Sequence, residues 1–238
     1  MSQVAIVTGA GSGVGRAVVF ELAKRDFHIA LIGRRREPLE ETIRLTRSSG
    51  GRTIAIPCDI ADATQVQATA ARVRGDLGDI NVLVNSAGTN IAKRSLADLS
   101  VEDYRHVVDV DLNGAFYLVH ALLPDMRRRG EGTIVNVVSD AGLTANRVSG
   151  AAYVASKFGL TGLTATINAE ERRNGIRACA IFPGEINTPL LDRRPNPPPQ
   201  EARMKMLQAE DVAACVMLAI DLPQRATVEQ LLVRPRTS

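Results

Sequence analysis

The sequence predicts an α/β protein built on one doubly wound parallel sheet of about seven strands, with helices on both faces. Three observations point there. Short apolar runs alternate with helical patterns along the whole chain, the arrangement that right-handed crossovers and a sheet buried on both sides require. The first apolar run opens directly into a glycine-rich turn and a helix. No linker divides the 238 residues, which read as a single domain over 1–238.

Composition narrows the function classes. Hydrophobic residues make up 45% and charged residues 23%, as in an ordinary globular domain. A net charge of +3, 3% aromatic residues and no Trp argue against a nucleic-acid partner, which needs basic stripes and stacking platforms. The clusters at 34–36, 127–129 and 193–194 read as solvated faces or small anion sites. Cys58, Cys179 and Cys215 are widely spaced and form no C-x-x-C, so neither a disulfide framework nor a metal site is expected. No run is long enough to span a membrane, and the chain enters an apolar strand by Val4 without a leader-like pattern. The expectation is a reducing, cytoplasmic setting.

The elements follow in order. Residues 4–7 form the first expected strand, and the turn that follows holds Gly9, Ser12, Gly13, Val14 and Gly15 ahead of a helix over 16–25. Such a turn lets backbone N–H groups approach a pyrophosphate at the positive end of a helix. Residues 27–32 read as the second strand, ending in Gly33, Arg34, Arg35 and Arg36. In a dinucleotide-binding fold a carboxylate there would bind a ribose 2′-hydroxyl, whereas arginine suits a 2′-phosphate. NADP is therefore favoured and NAD remains compatible; these arginines could also simply sit in water. A helix is expected over 37–49, a strand over 53–57, and a helix capped by Asp62 running to Leu77. A fourth strand over 80–84 ends in Asn85, Ser86, Ala87 and Gly88, and one long helix is expected over 101–129.

The fifth strand, 133–138, has Ser139 at its end, and the next helix carries Tyr153 and Lys157 before stopping near Gly175. On a helix that spacing leaves the two side chains about 40° apart around the axis and roughly 6 Å apart along it. An ammonium beside a phenol favours the phenolate. Bringing a tyrosine from ~10 to ~7 needs about 4 kcal/mol, which one charge at ~4 Å and an effective dielectric of ~20 supplies. Taken alone, the pair is more often incidental. A sixth strand over 176–182 closes at Pro183 and Gly184, and a proline-rich stretch holding Pro195, Pro197, Pro198 and Pro199 breaks the pattern. The segment 189–207 reads equally as a substrate lid or a plain connection. A helix over 209–221 and a strand over 227–233 complete the sheet.

These motifs together resemble the short-chain dehydrogenase/reductase family over nearly the full length: Thr8-Gly-x-x-x-Gly-x-Gly15, Asp59, Asn85-x-Ala-Gly88, Ser139, Tyr153-x-x-x-Lys157 and Pro183-Gly-x-x-x-Thr188. The resemblance implies a Rossmann-like fold and an NAD(P)-dependent enzyme acting on a small carbonyl or alcohol. It implies Tyr153 as acid/base, Lys157 as the group that lowers its pKa and holds the nicotinamide ribose, and Ser139 as the orienter of the substrate oxygen. Asp59 would approach the adenine, Asn85 would support the central strand, and Ile186 and Thr188 would bind the carboxamide, with Ile60, Ala87, Gly88, Pro183 and Gly184 also at the cofactor. A homodimer or homotetramer is implied on the same ground.

One position departs. Family members usually carry a catalytic Asn where Val110-Asp111-Leu112-Asn113-Gly114 places Asp111. An Asp there would hold Lys157 protonated and weaken its pull on Tyr153. A second reading follows from that departure alone: a dinucleotide-binding sensor or scaffold with impaired turnover. Arg147, Arg193, Arg194, Arg203 and Lys205 near the expected rim raise an anionic substrate as a hypothesis.

Overall fold

The structure, a computed structural model, describes residues 3–46 and 50–236. Seven strands form one sheet: β1 (Val4–Thr8), β2 (His28–Gly33), β3 (Thr53–Pro57), β4 (Ile80–Asn85), β5 (Gly132–Val137), β6 (Ile176–Pro183) and β7 (Gln230–Val233). Their order is β3-β2-β1-β4-β5-β6-β7 and every pairing is parallel. The order reverses between β1 and β4, so a crevice opens above their carboxyl ends, where open α/β sheets take their ligands.

Strand residues alternate between two cores. Ala5, Val7, Ile29, Leu31, Val82, Val84 and Ile181 face α1 (Gly13–Ala23) and, further along the chain, a helix over Ala209–Asp221. Val4, Ile6, Ala30, Ile32, Leu83 and Ile134 face the other side. There they meet α3 (Ala63–Leu77), which follows α2 (Arg36–Leu45), together with a later helix over Gly114–Arg129. Both faces being apolar explains why the strands read as continuous hydrophobic runs rather than alternating ones.

The expected helix over 101–129 is not one uniform helix. It is α4 (Val101–Val108), a π-helical turn over Asp109–Asn113, and α5 (Gly114–Arg129). Such wide turns insert one residue into the helical ladder and re-aim the side chains they carry. The chain continues through α6 (Ala151–Glu171), α7 (Gln200–Arg203) and α8 (Ala209–Asp221). Asp62 caps α3 as expected, accepting from the Thr64 and Gln65 amides at 2.8 and 3.1 Å. Helix α2 ends at Leu45 with Thr46 extended, short of the expected Ser49, and residues 47–49 lie outside the described residues. The last strand is shorter than expected, starting at Gln230 rather than residue 227.

Candidate active site

A cavity of about 540 Å³ opens above the carboxyl ends of the strands. Its floor begins with the glycine turn. Gly9 has φ +64° and a Cβ there would sit 3.0 Å from the Ala87 backbone; a Cβ on Gly15 would lie 2.4 Å from the Gly9 carbonyl oxygen. Only glycines let the turn fold this tightly between β1 and β4. Thr8 secures the other side: its Oγ1 accepts from the Ser86 and Ala87 amides, both at 3.0 Å. Arg16 donates to the Gly11 carbonyl at 2.6 Å and to Thr42 Oγ1 at 3.0 Å, holding the turn against α2.

Helix α1 starts at Gly13 with no side-chain cap from Ser12 and no acidic residue in its first turn. Its first amides therefore meet the cavity with the positive end of the helix dipole uncompensated, which suits an anion. Gly9, Ser12, Gly13, Val14, Gly15, Ala87, Gly88, Pro183, Gly184, Ile186 and Thr188 all line the cavity. Arg34 and Arg35 stand exposed at the end of β2, outside the cavity wall and with no ion pair among the described residues. Asp59 and Ile60 also lie outside it. Asp59 Oδ1 accepts from the Ala61 amide at 3.1 Å, and Ile60 packs where a Cβ on Gly114 would be 2.7 Å away. Asn85 is buried behind the cavity; its Nδ2 donates to Asn136 Oδ1 at 2.9 Å, and Asn136 donates on to Thr164 at 2.8 Å, tying β4, β5 and α6 together.

Ser139, Tyr153 and Lys157 meet in the same cavity. Ser139 Oγ accepts from the Ala141 amide at 3.2 Å and donates to Asp140 Oδ1 at 3.3 Å. Lys157 Nζ lies 5.2 Å from the Tyr153 ring centroid. Behind them sits Asp111, 1% exposed, with Oδ1 accepting from the Thr89 amide at 2.7 Å and Oδ2 at 3.5 Å from Lys157 Nζ. The π-helical turn delivers Asp111 to this position.

Electrostatics follow from burial and these neighbours. Burial raises the Tyr153 phenol above its ordinary value; Lys157 and Ser139 pull it down, while Asp111 and Asp140 push it up. Burial would lower the Lys157 ammonium, but Asp111 and Tyr153 outweigh it and hold the group above its ordinary value. Burial raises Asp111 despite Lys157. At 3.5 Å and an effective dielectric of ~20 the Asp–Lys attraction is about 5 kcal/mol, comparable to the most Lys157 can exert on a phenolate. Asp111 opposes that pull on Tyr153 because its carboxylate repels the phenolate.

Several polar wall residues escape a motif-based reading, among them Asn90, Arg94, Asp140, Asn146 and Glu185. The available signal was position, since Asn90 and Arg94 follow directly on the strand-end Asn85-to-Gly88 stretch. Of the basic residues expected at the rim, only Arg194 lines the cavity. Arg193 instead donates to Thr89 Oγ1 at 2.7 Å, and Arg203 pairs with Asp192. Cys58 and Cys179 are buried, and burial pushes the Cys179 thiol up to about 12. Among the described residues no cluster could hold a metal ion, and no helix is long and apolar enough to cross a membrane.

Comparison with known proteins gives a consistent picture. The family model described as short chain dehydrogenase matches residues 3–199. A sepiapterin reductase of Chlorobaculum tepidum is 33% identical, covering 99% of this chain and 97% of its own. A D-beta-hydroxybutyrate dehydrogenase of Rhizobium meliloti is 32% identical, with 97% and 89% covered. An alcohol dehydrogenase from Thermococcus sibiricus, solved with 5-hydroxy-NADP, superimposes with a TM-score of 0.88 at 28% identity, covering 100% of this chain and 98% of that one. A metagenomic short-chain oxidoreductase in complex with NADP gives 0.85 at 29% identity, with 99% and 98% covered.

Proposed function

Because the chain belongs to the short-chain dehydrogenase family of NAD(P)-dependent oxidoreductases, we propose that it uses NADP(H) to interconvert a secondary alcohol and a carbonyl compound. The observation that carries this reading is the convergence of Ser139, Tyr153 and Lys157 on the cavity that the glycine turn floors. The residues present fit the cofactor. The turn is a cradle that side chains would fill, the α1 amides face it without an acidic neighbour, and Arg34 and Arg35 await a counter-charge. The NADP and 5-hydroxy-NADP bound to two solved neighbours favour the same choice.

In this reading Gly9, Ser12, Gly13, Val14 and Gly15 hold the diphosphate, Arg34 and Arg35 the 2′-phosphate, and Asp59 and Ile60 the adenine. Ala87 and Gly88 form the central floor that Asn85 braces, and Pro183, Gly184, Ile186 and Thr188 hold the carboxamide. The bound cofactor supplies or accepts the hydride. Ser139 orients the substrate oxygen. Tyr153 gives that oxygen a proton in reduction and takes one in oxidation. Lys157 stabilises the phenolate and reaches the nicotinamide ribose. Asp111 acts through Lys157: it keeps the ammonium charged and in place while reducing its effect on the phenol. The segment 189–207, whose Pro189, Leu190, Leu191 and Arg194 form one wall, serves as the substrate lid.

Turnover decides between this enzyme and a sensor that merely binds the dinucleotide. NADPH consumption is expected with members of a broad ketone panel, and NADP reduction with matching alcohols. Tight NADP binding without turnover of any panel member would instead favour the sensor, the reading to which the Asp111–Lys157 pair lends its only support.

A further inference from the structure

We propose that Arg94 is the carboxylate-recognition residue of this site, so that the carbonyl or alcohol substrate is a keto or hydroxy acid carrying one carboxylate. This rests on the oxidoreductase reading above and names the substrate class for it.

Five ionisable charged residues line the cavity: Arg94, Asp140, Lys157, Glu185 and Arg194. Four have an opposite partner. Lys157 pairs with Asp111 at 3.5 Å, Arg194 with Glu185 at 2.7 Å and Asp140 with Arg234 at 3.8 Å. Arg94 has none among the described residues, yet it is only 9% exposed. A buried cation without a counter-ion is unfavourable by several kcal/mol. Burial lowers the Arg94 guanidinium from its ordinary range and Arg194 lowers it further, while Tyr153 raises it.

Hydrogen bonding leaves the same vacancy. Arg94 donates from Nη2 to the Arg193 carbonyl at 2.8 Å and from Nη1 to the Val148 carbonyl at 3.4 Å. Its Nε is buried with no hydrogen-bond partner among the described residues. A guanidinium has five N–H donors in a fixed fork. Two backbone carbonyls serve Nη1 and Nη2 and leave Nε without an acceptor, and a carboxylate is the planar anion that the fork matches. The local backbone keeps the side chain in place. Gly150, at φ +79°, lies so close that a Cβ would come within 2.7 Å of Arg94 Cβ. Gly150 opens the helix that carries Tyr153, and the same Tyr153 is near enough to be felt electrostatically by Arg94. One unmatched positive charge lining the same cavity as the phenol fits a monoanion whose other end presents the reacting oxygen to Tyr153.

The test separates recognition from catalysis. Calorimetric binding of pentanoate and of pentanamide would be measured on the full chain with NADP present. The expected result is pentanoate binding on the order of 100-fold tighter than the amide, the scale of a buried charge pair. That preference should vanish in Arg94→Gln and survive in part in Arg94→Lys. Equal binding of acid and amide by the unaltered chain overturns the proposal, even if the variants fail to fold. Equal losses for both ligands in Arg94→Gln also overturn it, because they mark a purely structural arginine. Tighter binding of butyl phosphate than of pentanoate would contradict a monoanion site. Turnover of 2-, 3- and 4-oxopentanoate against their methyl esters then ties the site to the reaction. An acid preference of similar size in kcat/KM supports the proposal; esters turned over as well as acids overturn it. Binding preference without turnover of either would leave carboxylate recognition standing and defeat the oxidoreductase reading alone.

Discussion

The residue that most distinguishes this site is Asp111. Its carboxylate raises Tyr153 and helps hold Lys157 charged. Asp111→Asn removes the negative charge that opposes phenolate formation. In the proposed mechanism alcohol oxidation needs the phenolate, so its rate is expected to rise with pH through the Tyr153 pKa. The variant is therefore expected to reach its plateau at lower pH than the parent, as a kcat/KM profile would record; an unmoved profile would remove Asp111 from the account. At the other end, Arg34→Glu is expected to lower the preference for NADP over NAD by roughly 10- to 100-fold, the scale of one or two charge-assisted hydrogen bonds, measured as the ratio of kcat/KM for the two cofactors. Sequence carried these residues unequally. Ser139, Tyr153 and Lys157 were legible because chain order fixes them at one strand end and one helix face. Arg94 was not, because its burial arises from the 148 and 193 carbonyls packing over it from distant parts of the chain.

At the level of elements, the glycine turn and the paired helices α5 and α6 carry separate demands. Gly15→Ala places a methyl 2.4 Å from the Gly9 carbonyl oxygen. The turn must open, and a stability loss of about 1–3 kcal/mol is expected together with weakened NADP binding, read by chemical unfolding and calorimetry. Across the other face, Arg127 Nε donates to Glu171 Oε2 at 2.8 Å, and Nη2 to Oε1. Arg127 and Asn174 hold the buried Glu171 carboxyl down to about 2, from an ordinary value of 4.5. A carboxyl lowered by folding contributes stability that is complete above its ordinary value and is lost as pH falls towards 2. Thermal unfolding should therefore show Glu171→Gln less stable at neutral pH but less sensitive to acid across that window. The parallel sheet and the alternation of strands with helices were readable from the succession of apolar runs and helical patterns, whereas the strand order came from the structure. The π-helical turn was not: residues 101–129 keep an unbroken helical pattern, and the extra residue serves to aim Asp111 rather than to bury an apolar face.

For the whole molecule, the parallel sheet brings strand ends from residues 8 to 183 to one crevice, so residues far apart in sequence line one cavity. Helices α4, α5 and α6 also expose Tyr104, Phe116 and Phe158, and we propose that they form the interface of a homodimer or homotetramer. Sedimentation should give a mass that is a multiple of 25.5 kDa, and Phe116→Glu with Phe158→Glu should shift it towards that single-chain value. The account as a whole rests on Tyr153 moving the proton at the substrate oxygen. Its most direct test is Tyr153→Phe, with NADP affinity and single-turnover NADPH consumption measured side by side on a ketone that the parent reduces. We expect NADP affinity to stay within about threefold and turnover to fall by roughly 10²- to 10⁴-fold, the range for a positioned acid. Turnover preserved in the phenylalanine variant would contradict the account.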